Sequence, residues 1–215
     1  MNEFFGLGFL LENGVSPRGI LHIGAHYGEE ASHYRGFVGD NVTWVEAHPD
    51  FAAKLKANPE LGGQRAHEAC LFDSDGEEVE FFVTKDEYAS SLFRPAYHAV
   101  QNPHAPVTHS IKVSTVTWGF FYNSLSAEDR GVIDGANILV LDTQGSELPI
   151  LRSMESILGQ FDAIVTEYSS VEFYHGGTRL TELDSFLETD WVRVYPDDSM
   201  TEALFHADAL YLRPN

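Results

Sequence analysis

Cysteine is nearly missing from this sequence: Cys70 is the single one in 215 residues. One thiol excludes an intrachain disulfide and a thiolate metal cluster, and it implies no oxidising compartment. Basic residues are scarce too, 13 Lys and Arg against 33 Asp and Glu, for a formal net charge of −20. A field of that sign repels phosphate backbones and anionic headgroups, so neither nucleic acid nor a membrane is expected as a partner. A membrane-length apolar run is also absent. The apolar stretch Phe4 to Leu11 is flanked by Glu3 and Glu12 and is too short to cross a bilayer. It lacks the basic leader of an export signal, so a cytoplasmic address is expected. It reads as a short helix in an N-terminal extension, residues 1–17, that stops at Asn13-Gly14. There is no phosphate loop ending in Gly-Lys-Ser/Thr and no Gly-x-Ser-x-Gly elbow. His98, His104 and His109 share one irregular stretch without metal-ligand spacing, so no metal is expected.

What is present is a regular alternation. Residues 1–215 read as one α/β domain, long enough to bury a substantial core. Strand-length apolar runs occur at Gly19–Ile23, Val42–Glu46 and His67–Leu71, with a helical pattern after each of the first two. Glu78–Val83 alternates with period two, and another strand is expected over Ile111–Thr117. Ile138–Asp142 and Asp162–Glu167 are continuous apolar runs closed by an acid, as in parallel strands buried on both faces. Helices are expected near Ala127–Val132, Ser146–Leu158 and Leu180–Glu188, and final strands near Val192–Tyr195 and Ala209–Leu212. This order predicts a doubly wound, mostly parallel sheet with helices on both faces. Residues 85–110 hold three prolines and fit no element, which points to an acceptor-side loop.

In such sheets ligands lie beyond the carboxyl ends of the strands, so the residues just after each strand matter most. The first strand is followed by Gly24-Ala25-His26-Tyr27-Gly28, where two glycines permit a sharp turn. The second ends in Glu46, 18 residues after Gly28, the spacing of an acid that accepts ribose hydroxyls. A glycine turn plus an acid describes an adenosine-type cofactor. A dinucleotide fingerprint needs glycine where His26 and Glu29 stand, and Glu29-Glu30 would repel a pyrophosphate. A cationic cofactor suits these surroundings better. The plain alternatives are a tight turn for the glycines and a solvated strand end for Glu46.

Several segments together carry a family resemblance. His22-Ile23-Gly24-Ala25-His26-Tyr27-Gly28 is similar to Asp-Val-Gly-Ala-Asn-x-Gly, and Glu46-Ala47-His48-Pro49 to Glu-Pro-x-Pro. Leu141-Asp142-Thr143-Gln144-Gly145-Ser146-Glu147 is close to Ile-Asp-Val-Glu-Gly-Ala-Glu, and Phe72–Gly76 and Ser90-Ser91-Leu92 fit between them. Over roughly residues 18–170 the chain resembles the FkbM-type family of S-adenosylmethionine-dependent methyltransferases. The resemblance implies a class I methyltransferase fold: a seven-stranded sheet with an antiparallel last strand, and extra short strands after the third. It implies S-adenosylmethionine as cofactor, with His22, Gly24, Ala25, His26 and Gly28 toward its methionine and ribose end. Glu46 and Ala47 would take the ribose, Cys70 and Leu71 would lie near the adenine, and Asp142 would touch cofactor or acceptor. His22 and Gln144 depart from the family's Asp and Glu.

The reaction expected is O-methylation of a small-molecule, sugar or glycan hydroxyl, with N-methylation as a near variant. Asp142 and Glu167 end two central strands and are candidate bases, and His175, before Gly176-Gly177, is a third. The two departures also admit a non-catalytic module that binds S-adenosylmethionine or a protein partner and retains the fold.

Overall fold

Residues 7–201 and 205–214 are described by a computed structural model. The chain opens with α1 (Leu7–Glu12), β1 (Ile20–Ile23), α2 (Ala31–Val38), β2 (Val42–Glu46), α3 (Pro49–Ala57) and β3 (Arg65–Glu68). There follow β4 (Cys70–Leu71), β5 (Glu78–Thr84), α4 (Tyr97–Gln101), β6 (Val107–Val116), α5 (Trp118–Ser124) and α6 (Ala127–Gly135). The last part holds β7 (Ile138–Leu141), α7 (Glu147–Ser153), β8 (Ala163–Ser169), α8 (Leu180–Leu187), β9 (Val192–Tyr195), α9 (Asp198–Thr201) and β10 (His206–Leu212). Phe4–Gly6 of the expected N-terminal helix lie outside the described residues.

Seven strands form one sheet in the order β3-β2-β1-β7-β8-β10-β9. The pairs among β3, β2, β1, β7 and β8 are parallel, and β10 is antiparallel to both β8 and β9. The reversal of strand order falls between β1 and β7. Every residue of β1, β2, β7 and β8 is buried, which is why these runs carry no polar alternation. Leu21, Ile23, Leu139 and Ile164 face a core filled from α5 to α8 by Trp118, Ile133, Leu151 and Leu183. Ile20, Val42, Trp44, Ile138 and Val165 face the opposite core, with Leu10, Tyr34, Val38 and Leu55 from α1 to α3. Helices therefore cover both faces, as the alternation predicts. No helix among the described residues is long and apolar enough to cross a membrane.

Three local expectations need correction. The third strand is not continuous. The Ala69 N–H closes on the Glu46 carbonyl at 2.9 Å, and Cys70-Leu71 then pairs with β6 in a separate three-stranded sheet, β4-β6-β5. The 85–110 segment is only partly irregular: it contains α4, and β6 already starts at Val107, opposite Thr84. The helix expected over Ser146–Leu158 ends at Ser153 and continues as a 3-10 segment, Glu155–Gln160.

Candidate functional site

The loops leaving β1, β2 and β7 open onto a cavity of about 820 Å³. That is the edge where an open parallel sheet binds ligands. Gly24 turns the chain out of β1 with φ 87°. A Cβ there would stand 1.8 Å from the Asp142 carbonyl oxygen, so only glycine lets the two strand ends approach this closely. Ala25 and His26 follow on the cavity wall. Gly28 does not line the cavity. It faces Leu55 and Leu61 below α3, where an added Cβ would meet Leu55 at 2.8 Å. Its part is to close the turn, not to touch a ligand.

His26 adopts φ 45°, rare for a residue with a side chain. Its N–H donates to Glu46 Oε2 at 2.9 Å, and the His48 N–H donates to Oε1 at 2.8 Å. Glu46 is thus held at the end of β2 by two backbone donors while facing the cavity. Burial nevertheless pushes its carboxyl above the ordinary range. Ala47, Cys70 and Leu71 lie on the same wall. Cys70 is a small buried hydrophobe there, and burial drives its thiol up to about 12.

His22 is 2% exposed, with its ring 5.0 Å from Trp44 and its Nδ1 3.2 Å from the Tyr34 hydroxyl. Burial lowers it to about 3, so the imidazole is neutral and cannot supply the charge of the family's acid. Other acids are present instead. Eight carboxylates line the cavity, Glu30, Asp142, Glu167 and Asp208 among them, and no Lys or Arg of the described residues does. Burial lifts Glu30 to about 7 and Asp208 to about 6. Burial and the neighbouring Glu167 and Asp208 lift Asp142 well above its ordinary range, and burial and Glu147 do the same to Glu167.

Gln144 takes φ 56° and bridges this acidic end. Its amide donates to Asp142 Oδ1 at 2.8 Å, and its oxygen accepts the Tyr174 hydroxyl at 2.6 Å. Glu147 lies outside the cavity lining, and its Oε1 accepts from the Thr143 and Gly145 N–H groups at 3.1 and 3.0 Å, which anchors the loop after β7. Ser91 ties the loop after β5 to that loop through a 2.7 Å bond to the Gln144 carbonyl. The 85–92 stretch forms a roof: Tyr88 lies 4.7 Å from His26 ring to ring, and Glu87 bonds Tyr27 beside Lys54.

The structure brings together every expected site residue except two. Gly28 is one. The other is His175, whose side chain is 61% exposed, 3.9 Å from Glu172, and outside the cavity lining, so its candidacy as a base is withdrawn. Sequence reasoning missed His206 and Asp208. Both are on β10 and face the cavity. Their trace in the sequence is two polar residues at strand period in an otherwise apolar run, His206-Ala207-Asp208-Ala209-Leu210.

The residues fit S-adenosylmethionine. A buried strand-end carboxylate suits a ribose diol, and walls with acids and no cation suit a sulfonium and an ammonium. No group of three or more His, Cys, Asp or Glu among the described residues could hold a metal.

The sequence profile of the methyltransferase FkbM domain matches residues 22–195. No curated protein matches the sequence. Among solved structures, the chain is similar to the methyltransferase FkbM from Methylobacillus flagellatus KT. TM-score is 0.52 at 14% identity, over 92% of this chain and 44% of that one. The chain thus spans under half the length of that neighbour. It is also similar to the plantazolicin methyltransferase BpumL in complex with SAH, with TM-score 0.50 and 10% identity, over 98% of this chain and 81% of that one. These likenesses show a Rossmann-like class I methyltransferase fold. The profile match covers most of the chain, and the chain belongs to the FkbM methyltransferase domain family, a family of S-adenosylmethionine-dependent enzymes.

Proposed function

We propose that this protein transfers a methyl group from S-adenosylmethionine to a hydroxyl of a small molecule, sugar or glycan that carries no anionic group. The observation that carries the reading is Glu46, buried at the end of β2, held by two backbone N–H groups and facing the cavity. The complex of BpumL with SAH, in the same fold, supports the cofactor class.

When bound, the cofactor supplies a methyl group on a positively charged sulfur, an activated leaving group. The chain does the rest. Glu46 accepts the ribose hydroxyls. Gly24, Ala25 and Ala47 present backbone and small side chains along the wall. Asp142, Glu30 and Asp208 offset the positive charge that His22 cannot meet. Tyr88, from the 85–92 stretch, packs its ring on His26 at the cavity wall. Walls without Lys or Arg would repel a phosphate or a carboxylate, so the acceptor is neutral or cationic.

A second reading, a binding module without turnover, is favoured by the neutral His22 in place of an acid. Calorimetric titration with S-adenosylmethionine and S-adenosylhomocysteine tests the cofactor. Micromolar binding that is lost in Glu46→Ala supports it, and no binding by folded wild type overturns it. Binding without turnover on a broad panel of alcohols and amines supports the second reading.

A further inference from the structure

We propose that Glu167 is the base that receives the acceptor's hydroxyl proton, and that His206 and Ser169 are the residues that position it. The inference rests on the methyltransferase reading of this cavity.

Sheet order separates two ends of the cavity. Glu46 ends β2, Gly24 follows β1, Asp142 follows β7, and Glu167 and His206 stand on β8 and β10. Three strand spacings of ~4.8 Å put Glu167 about 14 Å along the sheet from Glu46. If Glu46 holds the ribose, the β8–β10 end lies past the reactive sulfur and is where an acceptor would sit.

At that end the side chains form a connected chain. His206 Nε2 is 2.7 Å from Glu167 Oε1, and His206 Nδ1 is 2.9 Å from Ser169 Oγ. The imidazole is stacked on Phe173, ring centroids 4.1 Å apart and planes 9° from parallel, which supports its plane. With Glu167 ionised, we assign the tautomer in which the ring donates to it. Nε2–H donates to the carboxylate, and the Ser169 hydroxyl donates to Nδ1. Oε1 is then occupied, Gln144 also bonds the carboxylate, and the group faces the cavity where the acceptor would sit. Asp142 is placed differently: its backbone carbonyl backs onto Gly24 at the turn after β1.

A second feature shows what the acceptor presents. His98 on α4 is 5% exposed, lines the cavity, and its buried Nδ1 has no hydrogen-bond partner. It packs between Phe173 and Tyr174. An unpaired buried nitrogen is costly until water or a ligand meets it, so this position suits an acceptor with a second polar group, as a polyhydroxylated ring has.

The step balances as follows. The acceptor O–H bond breaks and its proton goes to Glu167. The oxygen pair forms the new O–CH3 bond as the C–S bond breaks, and that pair stays on sulfur as a neutral thioether. His206 keeps its Nε2–H throughout. Burial lowers His206, so the ring stays neutral, and it raises Glu167, so the ionised carboxylate, held by the imidazole N–H, is a stronger proton acceptor. Asp142 after β7, Asp208 on β10, Glu147 on α7 and Tyr174 are the other ionisable groups acting on this pair, and His98 is near the imidazole.

The test uses the whole chain and Glu167→Gln, His206→Gln, His206→Phe and Ser169→Ala. First, S-adenosylhomocysteine affinity is measured by calorimetry. Values within about twofold of wild type are expected throughout, since about 0.4 kcal/mol corresponds to that ratio. A tenfold loss in Glu167→Gln would assign Glu167 to the cofactor and overturn the proposal. Failure of wild type itself to bind would instead sink the underlying methyltransferase reading. Second, 15N-histidine NMR should show neutral His206 with its proton on Nε2 from pH 6 to 8, and a moved Nδ1 signal in Ser169→Ala. A proton on Nδ1, or a doubly protonated ring, overturns the arrangement. Third, S-adenosylhomocysteine release is followed with saturating glycerol as the probe hydroxyl. Glu167→Gln should fall about 100-fold in kcat, the size of a lost general base. His206→Gln, which keeps a donor for Glu167, should retain more kcat than His206→Phe and shift the acidic limb of the pH profile. Equal rates in Glu167→Gln and wild type refute the base assignment.

Discussion

Glu46 and His26, twenty residues apart, meet through a 2.9 Å bond from the His26 N–H to the Glu46 carboxylate. The turn after β1 and the end of β2 are thereby one unit. Replacing Glu46 by Ala removes the proposed ribose acceptor and leaves two backbone donors, His26 and His48, unpaired. We expect S-adenosylhomocysteine affinity to fall at least about tenfold, equal to about 1.4 kcal/mol. Glu46→Gln, which keeps one acceptor oxygen, should lose less. Calorimetry on the two variants checks the order, and equal affinities in wild type and Glu46→Ala would remove Glu46 from the site.

Gly24→Ala tests the close approach of β1 and β7. The added Cβ would stand 1.8 Å from the Asp142 carbonyl oxygen, at φ 87°. Backbone must move, so a loss of about 2 kcal/mol or more is expected. In a chain of this size that lowers Tm by about 4–8 °C. A melting curve identical to wild type would mean that the strand ends are further apart than described.

Gln144→Glu restores the family's acid and should be harmful here. It removes the amide that donates to Asp142 and adds a carboxylate beside one already raised by burial and by Glu167 and Asp208. The expected cost is about 1–3 kcal/mol, growing from pH 5 to pH 8 as the acids ionise. Denaturant titrations at the two pH values measure it. A variant as stable as wild type at pH 8 contradicts the electrostatic argument.

Three groups give stability an opposed pH dependence, the buried His22 and the partly buried Glu30 and Asp208. Glu30 rises from 4.5 to about 7, and Asp208 from 3.8 to about 6. The folded state therefore holds protons that the unfolded chain has released, and stability falls as pH rises through 4.5–7 and 3.8–6 respectively. His22 drops from 6.5 to about 3, so there the unfolded chain holds the proton, and stability falls as pH is lowered through that window. Melting curves of Glu30→Gln should gain on wild type steadily from pH 4.5 to pH 7. Those of His22→Phe should gain on wild type as pH falls below 6.5. A pH-independent difference in either pair rules out that group as a source.

Much of the fold was legible because it depends on local patterning. Ile138–Leu141 and Ala163–Glu167 have no polar alternation, and only a strand covered on both faces tolerates that. The glycine turn and Glu46 were legible because a strand end followed by a tight turn is itself a local signal. The break at Ala69 was not, since it depends on β6 offering Cys70 a partner, Thr115, 45 residues away. Gln144 read as a departure, yet its role as a bridge between Asp142 and Tyr174 depends on the loop after β7 meeting the segment after β8.

By itself the sequence determined the order of strands and helices, the two-faced burial of the central strands and the cofactor-side turn. All follow from periodicity and from residues close together in the chain. Only the tertiary structure decided the other side of the cavity. It turned Gly28 under α3 and left His175 in solvent. It also placed His206 of β10 against Glu167 of β8, through an antiparallel register between segments some forty residues apart. The period-two polar residues of β10 mark one face of that strand, but which residue they meet is set by how the sheet closes and not by the residues beside them.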